Sequence, residues 1–185
     1  MFFETIKCED EIPYNLFYHQ QRIARTIGLN INLQDYIYPP SNKLLKCKVI
    51  YDKNGISTIL YSNYTPKEIK TFKLVYNNNI SYSYKSTNRK SIENLFTTKG
   101  KADDIIIVKN DFITDTSIAN IAIFYGNHWI TPRLPLLKGT YRAKLLDNNF
   151  LIEKDITVDM LKNAKQIALL NAMIEFKVIK NFDII

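Results

Sequence analysis

Residues 46–51 and 56–61 are strand-like runs joined by Asp52-Lys53-Asn54-Gly55. Asn-Gly between two such runs is a strong hairpin signal, because both residues accept the left-handed backbone that tight turns use. That hairpin commits this part of the chain to an antiparallel sheet. Runs of the same short kind recur at 2–7, 69–76, 104–108, 112–114, 118–124, 128–130, 150–154, 166–170 and 176–179. Helical spacing appears at 15–28, with Leu16, Ile23, Ala24 and Ile27 on one face, Asn15 as the start and Gly28 as the stop. His19, Gln20, Arg22 and Arg25 fall on the polar surface of that helix, where solvated side chains are the ordinary reading. Shorter helices are expected at 88–98, from Gly139 to 147, and at 157–163 with Thr157 as cap. Many short strands with a few helices predict an α+β fold. Asn63-Tyr64-Thr65-Pro66 reads as a linker, which divides the chain into lobes 1–63 and 64–185, the second carrying Lys85.

A formal net charge of +7 raises the question of nucleic acid. The lysines are spread without a block of five like charges, so they form no binding stripe and nucleic acid is not expected as a partner. Cys8 and Cys47 show no metal-ligand spacing, and two cysteines make no disulfide framework; a reducing, cytoplasmic setting and no metal are expected. No basic, apolar leader and no apolar run of membrane-spanning length is visible, so no membrane partner is expected.

The chemistry centres on Tyr82-Ser83-Tyr84-Lys85-Ser86-Thr87-Asn88-Arg89, where strand-like sequence gives way to helix-compatible sequence. A lysine placed among aromatics and hydroxyls can be desolvated into a nucleophilic, Schiff-base-forming amine. Three further features could serve it. Asp115 opens a strand followed by the small residues Thr116-Ser117-Ile118-Ala119-Asn120. Gly139-Thr140 opens a helix, where backbone N–H groups and the dipole favour an anion such as phosphate. Asn171-Ala172 sits at a strand end and offers more backbone donors, and Arg22 supplies a permanent cation. Singly, each has an ordinary structural reading as a cap, a turn residue or a solvated side chain. His128 and Trp129 read as packing residues, and so do Tyr82 and Tyr84.

In their order along the chain these features resemble the class IV aminotransferases, the fold-type IV pyridoxal-phosphate enzymes. The resemblance runs from Phe2 to about Ile179 and rests on Phe3-Glu4-Thr5, His19-Gln20-Gln21-Arg22, Lys85-Ser86-Thr87-Asn88-Arg89, Thr114-Asp115 to Asn120, Thr131-Pro132 and Gly139-Thr140-Tyr141-Arg142. It implies a two-lobed fold with a shortened N-terminal lobe, pyridoxal 5′-phosphate as cofactor, and a homodimer. By the same resemblance Lys85 forms the Schiff base and Asp115 faces the pyridine nitrogen. Arg22, Gly139, Thr140 and the backbone around Asn171 and Ala172 then hold the phosphate. Phe-Glu-Thr and Lys-x-x-Asn-Arg are most similar to the aminodeoxychorismate lyases, which make 4-aminobenzoate and pyruvate for folate biosynthesis; there Thr5 would assist proton transfer. The alternatives are a branched-chain or D-amino acid aminotransferase, and a non-catalytic member acting as a binding or structural protein. Asp115 stands where the family usually has Glu, the family's opening strand is not seen, and the loop from Pro132 to Gly139 is short.

Overall fold

The computed structural model describes Met1–Ile185. It is an α+β fold whose contacts divide it into two compact units, Met1–Lys67 with Tyr84–Asn88, and Glu68–Ser83 with Arg89–Ile185. The first unit's N-terminal segment therefore ends at Lys67, four residues after the expected lobe boundary at Asn63. The Lys85 segment belongs with the first unit rather than the second.

The first unit is a four-stranded antiparallel sheet in the order β2-β1-β3-β4, with β1 at Phe2–Glu9, β2 at Ile12–Pro13, β3 at Leu45–Asp52 and β4 at Gly55–Asn63. Strand β2 lies where only a turn was expected. Asp10 and Glu11 both take positive φ, the geometry of a two-residue hairpin turn that a sequence without glycine does not advertise. Alternation along β1 and β3 sends Ile6, Cys8, Cys47, Val49 and Tyr51 to one core, closed by Ile23 of helix α1 (Leu16–Ile27) and by Leu33 from a 3₁₀ turn at Leu33–Asp35. Asn15 precedes α1 in a left-handed conformation and makes no side-chain cap, whereas Gly28 closes the helix with its N–H on the Ala24 carbonyl. The expected hairpin forms: Asp52 Oδ1 accepts from the Asn54 N–H at 2.9 Å, and Gly55 sits at φ 116°, a conformation that suits glycine.

The second unit follows the strand path β10-β9-β8-β7-β6-β5-β13, with β11 pairing β8 and β12 beyond it. Its elements are β5 (Thr71–Tyr76), α2 (Lys90–Thr97), β6 (Asp104–Lys109), β7 (Phe112–Thr116), β8 (Asn120–Tyr125), β9 (His128–Pro132), α3 (Thr140–Asp147), β10 (Leu151–Lys154), α4 (Val158–Lys162), β11 (Ile167–Asn171), β12 (Glu175–Ile179) and β13 (Asp183–Ile184). Strand β6 is buried on both faces, Ile106 and Val108 in one core and Ile105 and Ile107 in another, which is why it reads as a continuous apolar run. The short strand β13 pairs in parallel with β5 and was not anticipated. Trp129 packs edge-on against Phe124 and Phe176 as expected, but His128 is exposed at the turn.

Candidate active site

In the first unit the chemistry gathers on both faces of β1. On the core face the Glu4 carboxylate is fully buried. His19 Nδ1–H donates to it at 2.6 Å, Arg22 Nε donates at 2.9 Å with a second bond from Nη2, and Tyr51 O–H donates at 3.2 Å. Burial alone would raise the Glu4 pKa, but Arg22 and His19 outweigh it and hold it down at about 2. Burial pushes His19 below its ordinary value, so near neutral pH it is a neutral imidazole donating to an ionised carboxylate. His19 is thus not on the solvated face that helical spacing assigned to it. Arg22 is not an isolated cation either, since Glu4 grips it in two places. No spacing rule links position 4 to positions 19 and 22; only the docking of α1 on the sheet does so.

The opposite face of β1 carries Lys85 and Thr5. Tyr84–Asn88 runs beside the N-terminal strand: Phe3 N–H donates to the Lys85 carbonyl at 2.9 Å, Thr87 N–H donates to the Met1 carbonyl at 3.1 Å, and Phe2 bridges Ser86. Lys85 therefore sits in the irregular connection after β5 rather than at a strand end. Its half-buried side chain lays Nζ over the Phe3 ring, 4.8 Å from the centroid. Phe3 and Thr5 alternate with Glu4, so Lys85 and the Thr5 hydroxyl share one face and the Glu4 cluster occupies the other.

In the second unit Asp115 is buried near the end of β7, not at a strand start. Its Oδ1 accepts from Asn120 Nδ2 at 2.6 Å and its Oδ2 from the Leu137 N–H at 2.8 Å. Asn120 Oδ1 accepts in turn from the Gly139 N–H at 3.1 Å, and its Nδ2 also donates to the Leu137 carbonyl at 2.7 Å. Burial pushes Asp115 up to about 6, against these hydrogen bonds, which favour the ionised form. A Cβ on Gly139 would lie 2.0 Å from Asn120 Oδ1, so no side chain fits between the carboxylate network and the start of α3. Thr140, buried, is the first residue of α3, where the helix points N–H groups and its positive dipole end outward. Asn171 Oδ1 accepts from the Met173 and Ile174 N–H groups, and its Nδ2 donates to Ile118, so Asn171 and Ala172 lie in a turn tied to the β7–β8 corner.

The structure thus joins Asp115, Gly139 and Thr140 through Asn120, and holds Lys85 with Thr5 in the other unit; Arg22 lies in that unit too, on the Glu4 side. The linking residues Glu4, His19 and Asn120 lie inside the quoted motifs but drew no role there, and Tyr51 lies in none of them. By type these side chains suit pyridoxal phosphate: an amine against an aromatic ring, a buried carboxylate for a protonated ring nitrogen, and a helix start opened by glycine for phosphate.

The model of the family described as Amino-transferase class IV matches residues 56–182. An uncharacterised Haemophilus influenzae protein is 35% identical over 182 residues, covering 92% of this chain and 96% of its own length. A crystal structure from Haemophilus somnus 129PT, provisionally named a 4-amino-4-deoxychorismate lyase, superposes with TM-score 0.80 at 32% identity, covering 93% of this chain and 95% of that one. A Mycobacterium tuberculosis protein named a hypothetical aminotransferase, solved in a form with pyridoxal phosphate bound, shares the fold, with TM-score 0.77 at 15% identity, 98% of this chain and 80% of that one covered. These likenesses fix the architecture as fold-type IV, in a short version. The chain belongs to the class IV aminotransferase family.

Proposed function

We propose that the protein is a pyridoxal-phosphate-dependent lyase that converts 4-amino-4-deoxychorismate to 4-aminobenzoate and pyruvate. The observation that carries this reading is the placement of the Lys85 amine over Phe3, on the same face of β1 as the Thr5 hydroxyl. The names given to the Haemophilus somnus structure and to a Schizosaccharomyces pombe protein, 38% identical over 78 residues (39% of this chain, 34% of that one) and provisionally called an aminodeoxychorismate lyase, support it.

By the family resemblance, Lys85 would attach the cofactor, Asp115 would keep a proton on the ring nitrogen, and Arg22, Gly139, Thr140 and the Asn171-Ala172 turn would hold the phosphate. Bound there, pyridoxal phosphate supplies an electron sink for the carbon that bears the substrate nitrogen. Lys85 would be the base that removes the proton from that ring carbon as the ring aromatises. The ether bond to the enolpyruvyl group breaks, and that leaving group takes a proton to become pyruvate. Thr5 passes protons on the Lys85 side. An aminotransferase would need an oxo-acid acceptor; a lyase releases pyruvate without one.

The test is borohydride reduction of the protein after loading with pyridoxal phosphate, followed by peptide mass spectrometry and a pyruvate assay. The expected outcome is a pyridoxyl group on Lys85, none in Lys85→Ala, and one pyruvate per 4-aminobenzoate with no acceptor added. A chain that takes up no cofactor at saturation would overturn the reading. The same reading implies a homodimer, so sedimentation should give about twice the 21.6 kDa chain mass.

A further inference from the structure

The face of the four-stranded sheet that bears Lys85 is basic in a way the proposed chemistry leaves unused. Phe3, Thr5 and Lys7 of β1 stand directly opposite Ile50, Lys48 and Lys46 of β3, and Leu60 and Ser62 of β4 follow on the far side. Lys7 therefore faces Lys46 across the ladder, and like charges directly opposite each other destabilise a sheet. Glu9 engages Lys7 at 3.0 Å. Lys46 and Lys48 make no ion pair, and the one carboxylate in the middle of β1, Glu4, is turned to the other face and held there by Arg22 and His19. Lys48 Nζ lies 5.1 Å from the centroid of the Phe3 ring, the same ring that Lys85 covers at 4.8 Å. Two ammonium groups thus converge on one aromatic side chain beside the Thr5 hydroxyl. Such an arrangement becomes favourable when an anion sits between or beside them.

We infer that Lys48, with Lys46 next to it, is a carboxylate-binding subsite that selects a flat ring bearing more than one carboxylate. The inference rests on the reading in which Lys85 is the reactive amine, and it deepens that reading by naming the side chains that select the carboxylates of its substrate. A monoanionic amino acid would leave this face with surplus positive charge, whereas a dicarboxylate ring neutralises it. Lys48 takes no part in the proton transfers proposed for Lys85 and Thr5, so its effect falls on binding and specificity rather than on the chemical step.

The experiment titrates the full-length protein with isophthalate, benzoate and benzyl alcohol by calorimetry, for the wild type, Lys48→Met, Lys48→Arg and the exposed hairpin control Lys53→Met. Met keeps most of the apolar stem and removes the charge. Isophthalate should bind more tightly than benzoate, and Lys48→Met should weaken it about tenfold, while benzyl alcohol is unaffected. Lys48→Arg should restore binding to within about threefold, and Lys53→Met should change nothing. In turnover Lys48→Met should raise KM about tenfold and leave kcat within about twofold. Absence of saturable isophthalate binding, or equal binding by Lys48→Met and wild type, would overturn the subsite. Borohydride labelling of Lys85 reports separately on the parent reading. Labelled Lys85 with charge-indifferent isophthalate binding removes the subsite alone. Unlabelled Lys85 with Lys48-dependent isophthalate binding removes the lyase reading and leaves the subsite standing.

Discussion

Glu4 is fully buried with four donated hydrogen bonds around it, so its charge is tied to the integrity of the first unit. Its folded pKa of about 2 lies below the ordinary 4.5, so its stabilisation is present above pH 4.5 and lost as pH falls toward 2. His19, held below its usual 6.5 by burial, has the same sign and adds a loss that begins as pH falls below 6.5. Urea midpoints measured across this range should fall with acid, and Glu4→Gln should flatten the part between 4.5 and 2. At pH 7 Glu4→Gln should cost about 3 kcal/mol, because it leaves Arg22 without its buried counter-charge. Asp115 has the opposite sign. Raised to about 6, it contributes stability that is full below 3.8 and lost as pH rises through 6, a burden the fold carries at neutral pH to keep a carboxylate inside. Gly139→Ala tests the space beside it. Its methyl would drive into Asn120 Oδ1, so the variant should lose about 1–3 kcal/mol in urea titration and fail to retain pyridoxal phosphate on desalting. None of these couplings was legible in the sequence, since burial, not residue type, separates a solvated helix histidine from His19.

At the scale of elements, much was legible. The Asn54-Gly55 hairpin, the Gly28 stop, the apolar run of β6 and the Thr157 cap all follow from local rules and all form. Thr157 accepts from the Met160 N–H at 3.2 Å, so Thr157→Ala should cost about 1 kcal/mol, read as a lower thermal midpoint with cofactor uptake unchanged. The misses share a cause. Strands β2 and β13 are two residues each, too short for any period to register, and exist only because a neighbouring strand offers its edge. Asn15 reaches the start of α1 through a left-handed backbone rather than through its side chain, which residue type does not reveal. Asp115 read as a strand start because small hydroxyl residues follow it, yet β7 continues to Thr116 and the turn comes at Ser117–Ala119.

At the scale of the molecule, the order of features along the chain pointed to the family, and the family model and relatives bear that out. The α+β class followed from the density of short strands, because a hairpin-rich chain with few helices has few other ways to bury its apolar faces. No helix is long and apolar enough to cross a membrane. What the sequence by itself determined was local: turn chemistry, strand periodicity, helix stops and the residue types of a lysine, a carboxylate and a glycine-opened helix. Partnership was decided by the tertiary structure alone. Chain crossings place Tyr84–Asn88 against β1 rather than with the strands that precede it, so Lys85 meets Phe3, more than seventy positions away, on the face that Thr5 shares. The docking of α1 gives Arg22 to Glu4, and the β7–β8 corner gives Asp115 to Asn120 and Gly139. Local rules act over a few residues, whereas burial and electrostatic pairing depend on which distant segments share a face, and only the folded chain sets that.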